Sequence, residues 1–457
     1  MELEHGCLHE DSTIGSAGAP LRFVRKFGAS GPDALRALVE PGRVHSAIYT
    51  SPEIFELEIE RIFHGSWVYV GHASEVRETG EFRVRQLGRQ PAIMVRGDDG
   101  AIRVLMNRCR HRGAAVCEVE AGREKFFRCW YHGWTYDNTG KLVSVTDPSG
   151  YGKSFSTGDY SLTPAPRVAI YRDFVFASLS EDVPPLEEHL GPAAAMIDLL
   201  VDASPDRQIE LGAGVHKTVF NGNWKLVGMD GYHPHYVHAS VLAKWKRKAN
   251  SGASAAHSGS PFDSRAKTFT RDFGNGHAML DMREHRMQHF SEYEKFLRGI
   301  PGGSEYIAAL NDRDGEARAT LLLAMAGDPH VSIFPNMQII GNHVRIMLPL
   351  SAGRTEVLMF PALFKGVSPD INAVRLRQHE SFYGPAGDGS PDDAEIFERV
   401  QRGLGAEVNP WIDISRGMER ERIEADGTIV GHISDEVPQR GQMRRWLELL
   451  ESGKANA

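Results

Sequence analysis

The pattern Cys109-Arg-His111, followed by Cys129-Trp-Tyr-His132, constrains this chain more than any other feature. Two Cys-His pairs on separate short loops describe two tips that close on one metal centre. Rigid strands must carry such tips, because ligands have to be held to about half an ångström. Thiolate sulfur and neutral imidazole both suit iron or zinc. Two of each serve a 2Fe–2S cluster, with the cysteines on one iron and the histidines on the other. They also serve a structural zinc ion. Zinc fingers draw two Cys from one loop and two His from another, whereas here each loop supplies one of each. That spacing favours the iron–sulfur reading. Gly113 and Gly133 follow the two loops, where a residue without Cβ lets backbone N–H groups approach the bridging sulfides. Trp130, Tyr131 and Trp134 are expected to cover the centre and limit water access.

A second cluster of donors is Asp230-Gly-Tyr-His233-Pro-His235-Tyr-Val-His238. Two imidazoles and one carboxylate that leave positions open form the facial triad of non-haem iron oxygenases. On an ideal helix His233 and His238 point about 140° apart, so both reach one ion only where the helix distorts, and Pro234 favours distortion. Alone, the stretch reads as readily as a solvated turn or a packed core segment, and a zinc hydrolase site is a further alternative that leaves the iron–sulfur motif unexplained.

The residues 109–113 and 129–134, with Asn223-Trp224-Lys225 leading into Asp230-x₂-His233-x₄-His238, resemble the large (alpha) subunits of Rieske non-haem iron aromatic-ring-hydroxylating oxygenases. The resemblance covers roughly residues 45 to 440. It implies that Cys109, His111, Cys129 and His132 hold one 2Fe–2S cluster and that His233 and His238 bind one mononuclear Fe(II). In the family the Asp is not a ligand. It bridges from an iron-bound histidine to the second cluster histidine of the neighbouring subunit, which assigns that role to Asp230, facing His132 of a neighbour. A buried carboxylate in that place orients the imidazole and raises its basicity. The family's carboxylate ligand opens a C-terminal helix, which points to Asp393 ahead of Asp392. The bland alternative is a helix start, with Ser390 as cap, Pro391 first and two acids against the dipole, and Ile396, Phe397, Val400 and Leu404 as the buried face. His235 is left to pack or line the pocket. The stretch Leu226-Val-Gly-Met229 is shorter than the family's usual segment and lacks its Glu-Asn pair. The helix before the ligands, and any substrate contact made by that Asn, therefore depart from the family pattern.

The resemblance further implies a terminal oxygenase that inserts O₂ into an aromatic substrate by cis-dihydroxylation. Electrons come from NAD(P)H only indirectly, through a partner reductase and, in some systems, a ferredoxin. Monooxygenation or demethylation of an aromatic, also a carboxylated one, is the alternative on the same site. A head-to-tail homotrimer, or an α₃β₃ assembly with a small β subunit, is the expected form. A Rieske electron carrier without oxygenase activity is the different-class alternative, and it lacks the mononuclear iron.

The bulk numbers agree. A chain of 457 residues with 41% hydrophobic and 25% charged content has the size of a two-domain enzyme. Its net charge of −8 argues against nucleic acid and anionic membrane as partners. Of the four cysteines, Cys7 lies in a polar N-terminal tail and Cys117 reads as a small buried side chain. No disulfide framework is expected, and a reducing cytoplasm is the natural compartment. The N-terminus lacks the basic and apolar regions of a signal peptide, and no apolar run approaches a membrane span. Nothing resembles GxGxxG followed by a distant acid, so the chain shows no nicotinamide or flavin site of its own.

The expected fold class is α+β, a small all-β Rieske domain plus a larger catalytic domain with an antiparallel sheet covered by helices. Residues 1–45 are expected to form an N-terminal arm and helix packed on the catalytic domain, 46–180 the iron–sulfur domain and 181–457 the catalytic domain. Ser51-Pro52-Glu53 opens a helix with Ile54, Phe55, Leu57, Ile59, Ile62 and Phe63 as its buried face. Asp98-Asp99-Gly100 and Asn138-Thr139-Gly140 mark hairpin turns. Residues 331–340, 343–349 and 355–363 read as a meander, and 250–264 as a loop. Val227, Met229, His277, Phe334, Asn336 and Met337 are pocket candidates. No arginine can be placed opposite a substrate carboxylate from the sequence.

Overall fold

Between Val68 and Ser178 the strand-and-turn pattern becomes three small antiparallel sheets in a computed structural model that describes residues 32–230 and 267–452. His233, His235, His238, Cys7 and the 250–264 segment lie outside the described residues, as does the side chain of Asp230. One sheet runs in the order Ile102–Met106, Gln90–Arg96, Glu81–Leu87, Ala121–Arg123. A second runs Leu142–Ser144, Thr135–Asp137, Phe126–Arg128, and a third Arg167–Tyr171, Phe174–Ser178, Val68–His72. The two turns read from the sequence meet each other. Asp98 N–H donates to Asn138 Oδ1 at 3.0 Å, and Asn138 Nδ2 returns a bond to Asp98 Oδ1 at 2.7 Å. Phe82, Ile93, Val95, Leu105, Phe127 and Tyr136 form the core beneath the metal loops.

The rest of the chain is built on a nine-stranded antiparallel sheet. Its order is His216–Phe220, Arg354–Pro361, His343–Ser351, Met337–Ile340, Val331–Ile333, Ala278–Asp281, Phe269–Asp272, Ile429–His432, Arg422–Ile423. Alternation divides its two faces. Met337, Ile339, Val344, Ile346, Leu358 and Phe360 pack on helices that include Ala194–Asp202, Gly303–Asp314 and Glu316–Met325. Ile340, Met347, Val357 and Met359 face a second core, closed by Pro52–Glu58, Ser390–Gly403 and the C-terminal helix Val437–Ser452. The fold class is α+β, as the sequence pattern predicts. Among the described residues no helix is long and apolar enough to cross a membrane.

The single strand expected over 331–340 is two strands, Val331–Ile333 and Met337–Ile340. Pro335 has no N–H to give a ladder, so the chain turns there. Asn336 then bonds sideways: it accepts from Tyr69 N–H at 2.9 Å and donates to Tyr69 O at 3.0 Å, which joins the large sheet to the first strand of the small one.

The helix start at Ser51 is as read, with Ser51 Oγ accepting from Ile54 N–H at 3.2 Å and Pro52 in the first turn. Its buried face differs in one respect. Leu57 is only half-buried, and Glu58 goes inside instead.

Candidate metal centres

The two Cys-His loops are one local structure built twice. Cys109 N–H donates to Ala114 O and Gly113 N–H to Cys109 O; Cys129 N–H donates to Trp134 O and Gly133 N–H to Cys129 O, all between 2.8 and 2.9 Å. Gly113 and Gly133 adopt φ of +78° and +72°, the left-handed region where a Cβ is strained. Both cysteines are buried and close enough to hydrogen-bond each other. Burial raises the Cys129 thiol above its ordinary pKa. Tyr136 OH lies 3.3 Å from Cys109 Sγ and accepts from Arg110 N–H at 3.0 Å; toward a cluster-bound thiolate, which has no proton, the hydroxyl would be the donor.

The imidazoles of His111 and His132 face each other with centroids 4.7 Å apart, and Trp134 lies flat on His111 at 4.9 Å. Burial and the neighbouring His132 hold His111 below the usual histidine pKa, which keeps it in the neutral, ligating form. Nδ1 of both rings is buried without a hydrogen-bond partner. A buried polar nitrogen ordinarily has one, and two such atoms opposite two buried sulfurs fit the donor set of a 2Fe–2S cluster. Among the described residues no three His, Cys, Asp or Glu converge on a single-ion position.

The aromatic cover is smaller than expected. Trp134 is buried, but Trp130 is 90% and Tyr131 60% exposed. Cys129 and His132 both point inward, so the side chains between them are turned out to solvent.

The segment that leads into Asp230-x₂-His233-x₄-His238 is Leu226–Asp230, a single wide helical turn of the π type beneath the large sheet. Gln338 Nε2 donates to Val227 O at 2.9 Å and Ser332 Oγ to Gly228 O at 3.4 Å. Just before it, Trp224 Nε1 donates to Glu58 Oε2 at 2.8 Å, Lys225 Nζ pairs with Glu58 Oε1, and Trp446 Nε1 adds a third bond at 2.6 Å. Both Lys225 and Glu58 are fully buried. Sequence reasoning missed Glu58, and no local signal marks it.

Asp393 is buried in the first turn of Ser390–Gly403, and Asp392 is half-buried. Ser390 is not the cap expected. Gly389 takes that position with no side-chain capping bond, and Asp393 N–H donates to Gly389 O at 3.0 Å. On this helix Phe397 is buried and Ile396 and Leu404 are half-buried, while Val400 faces water.

Five of the six pocket candidates, Val227, His277, Phe334, Asn336 and Met337, are buried, and the side chain of Met229 lies outside the described residues. Phe334 and Met337 are packed, and Asn336 is the clamp to Tyr69. His277 Nε2–H donates to His189 O at 2.7 Å and its Nδ1 accepts from Phe334 N–H at 3.0 Å, while burial pushes its pKa down to about 4.

Paired cysteines and histidines on a β unit, followed in the chain by a helix-covered antiparallel sheet and a helix that opens on the buried Asp393, point to an iron–sulfur oxygenase. Residues 66–160 match the family model described as Rieske [2Fe-2S] domain, and residues 203–433 that of Ring hydroxylating alpha subunit (catalytic domain). The chain is 35% identical over 406 residues to toluate 1,2-dioxygenase subunit alpha of Pseudomonas putida, covering 85% of each chain. It is 32% identical to the large subunit of 2-halobenzoate 1,2-dioxygenase of Burkholderia cepacia, over 86% of this chain and 85% of that one. Naphthalene 1,2-dioxygenase from Rhodococcus sp. shares the fold at a TM-score of 0.74 and 26% identity, over 90% and 94% of the two chains.

The chain belongs to the alpha subunits of the Rieske non-haem iron ring-hydroxylating dioxygenases. The two family models imply an iron–sulfur cluster and a mononuclear iron. Relatives named as large or alpha subunits imply a small subunit and electron-transfer partners. The match over the catalytic domain sets aside the reading as a pure electron carrier.

Proposed function

We propose that this chain cis-dihydroxylates an aromatic carboxylate, drawing electrons from NAD(P)H through a partner reductase or ferredoxin in the cytoplasm. The observation that carries the reading is its similarity, over most of its length, to dioxygenases named for toluate and 2-halobenzoate, both aromatic acids. Cys109, His111, Cys129 and His132 would hold the cluster, and His233, His238 and Asp393 the iron. When bound, the two groups supply one-electron transfer and activation of O₂. The chain's residues set the stage for that chemistry. Trp134 fixes the ring plane of His111, and the Tyr136 hydroxyl gives a hydrogen bond to the Cys109 sulfur, one of the means by which cluster potentials are set. Asp230 would orient an iron-binding imidazole and meet His132 of a neighbouring copy in a head-to-tail trimer, with or without a small β subunit. Residues 1–45, 46–180 and 181–457 would be the arm, the Rieske domain and the catalytic domain.

Product analysis under ¹⁸O₂ with NADH, reductase and a panel of aromatic acids tests this. A cis-diol carrying two labelled oxygens is expected. A single label, or release of formaldehyde, would replace dioxygenation by the monooxygenase or demethylase alternative.

A further inference from the structure

The face of the large sheet that looks toward Leu226–Asp230 carries one buried cation for which the described residues supply no counter-charge. Arg345 stands in the strand His343–Ser351 with Gln338 and Met359 as its cross-strand partners, and directly opposed residues share a face. It is 6% exposed. Its Nε–H donates to His343 Nε2 at 2.8 Å, Nη2 lies 3.4 Å from Ser390 Oγ, and Cζ sits 5.3 Å from the centroid of Tyr383. No carboxylate of the described residues comes within ion-pair distance of it. His343 does not help, since a ring whose Nε2 accepts from Arg345 carries its proton on Nδ1 and is neutral.

Other buried cations in the chain are treated differently. Lys225 is paired with Glu58 and Arg440 with Glu421. Arg375 is saturated by backbone, with Nε and Nη2 on Ala362 O and Nη1 on Ala326 O. An uncompensated buried charge is strongly unfavourable, so the guanidinium edge that Arg345 leaves unused calls for an anion.

Its neighbours say where that anion sits. Gln338, on one side, donates to Val227 O in the segment that leads into the Asp-x₂-His-x₄-His motif, while its own Oε1 is buried without a partner. Ser390, on the other, opens the helix that carries Asp393. Arg345 is thus bracketed by the two chain segments expected to supply the iron ligands. Met347, Val357 and Met359 make the same face apolar.

We propose that Arg345 is the carboxylate anchor of the substrate site: its Nη edge takes the carboxylate of an aromatic acid as a two-point ion pair, and the ring lies along the apolar face beside it. The inference rests on the reading as a dioxygenase of aromatic acids and names the residue that selects them. An arginine fork suits a carboxylate because two parallel N–H groups match its two oxygens.

Calorimetric titration of the assembled, metal-loaded oxygenase with benzoate and with benzamide, its neutral analogue, tests the assignment. Wild type should prefer benzoate. Arg345→Gln should lower the benzoate-to-benzamide affinity ratio about ten- to a hundredfold. Arg345→Lys, which keeps the charge and loses the fork, should fall between. Without ligand, the Gln variant should melt no lower than wild type, because a charge lacking a partner has been removed. A ratio that holds in both variants, or a Gln variant that melts early or fails to fold, would overturn the assignment and make the guanidinium part of the scaffold. The oxygenase reading fails separately. Labelled diols from aromatic acids with an unchanged affinity ratio in the Gln variant would sink the Arg345 role alone, while no labelled product from any arene would sink the dioxygenase reading and leave the affinity ratio to stand.

Discussion

Glu53, Glu56 and Glu60 face water on the helix that follows Ser51, and Glu58 does not. Its carboxylate is fully buried and receives two indole N–H groups and an ammonium. Replacing it with alanine leaves the Lys225 charge in the core without that carboxylate, which is expected to lower stability by about 3–5 kcal/mol. Glu58→Gln should cost less, because an amide oxygen still accepts from an indole. Urea unfolding followed by fluorescence measures both, and an unchanged midpoint for Glu58→Ala would show that the ion pair contributes nothing. Ser51, Pro52 and Glu53 were legible because capping is a local event. Glu58 was not, because its partners Trp224, Lys225 and Trp446 are brought to it by tertiary structure. Arg345 escaped notice for the same reason, since an arginine within a strand carries no mark of what it lacks.

At the scale of elements, the spacing of the two Cys-His pairs predicted tips carried by hairpins. This holds for the second, between Phe126–Arg128 and Thr135–Asp137, whereas the strands flanking the first, Ile102–Met106 and Ala121–Arg123, are opposite edges of one sheet. The same reading led to all three aromatic neighbours being expected over the centre, whereas only Trp134 turns inward. Trp134 does so because its position in the second loop corresponds to Ala114 in the first, where the chain re-enters the sheet. The repeated loop makes the glycines a paired experiment. A Cβ at Gly133 would meet Thr146 Oγ1 at 2.7 Å, and that hydroxyl bonds His132 O. At Gly113 the nearest atom is the flexible Arg108 side chain at 3.2 Å. The left-handed φ costs either alanine about 1–2 kcal/mol, but only Gly133→Ala also pushes on a ligand residue. Gly133→Ala should therefore lose most of the cluster's visible absorbance and Gly113→Ala should keep most of it. Equal retention would mean that φ alone decides. Pro335 was the missed element signal, a residue without an N–H inside a run that was read as one strand.

For the molecule as a whole, the α+β division into a small strand-rich unit and a large helix-covered sheet could be read from turn spacing and changing periodicity. The exposed surface could not. Around the His111–His132 pair the chain leaves Trp130, Tyr131, Phe126 and Val119 open to solvent, on the rim of a concavity of about 1320 Å³. Apolar patches of this kind mark interaction sites, and the proposed trimer would cover this one with a second copy. Trp130→Asp is then expected to yield monomers in sedimentation with the cluster absorbance intact. An unchanged mass would put the subunit contact elsewhere.

The knot at Glu58 also imposes an order on biosynthesis. Trp446 reaches the carboxylate from the C-terminal helix, whereas the strands that mount the cluster lie between Val68 and Ser178. A ribosome delivers the cluster cradle complete while most of the large sheet is still unmade. The platform beneath Asp230 is closed only when the last helix has emerged. Cluster insertion can precede synthesis of most of the large sheet; the turn Leu226–Asp230 is fully buttressed only after Trp446 has emerged.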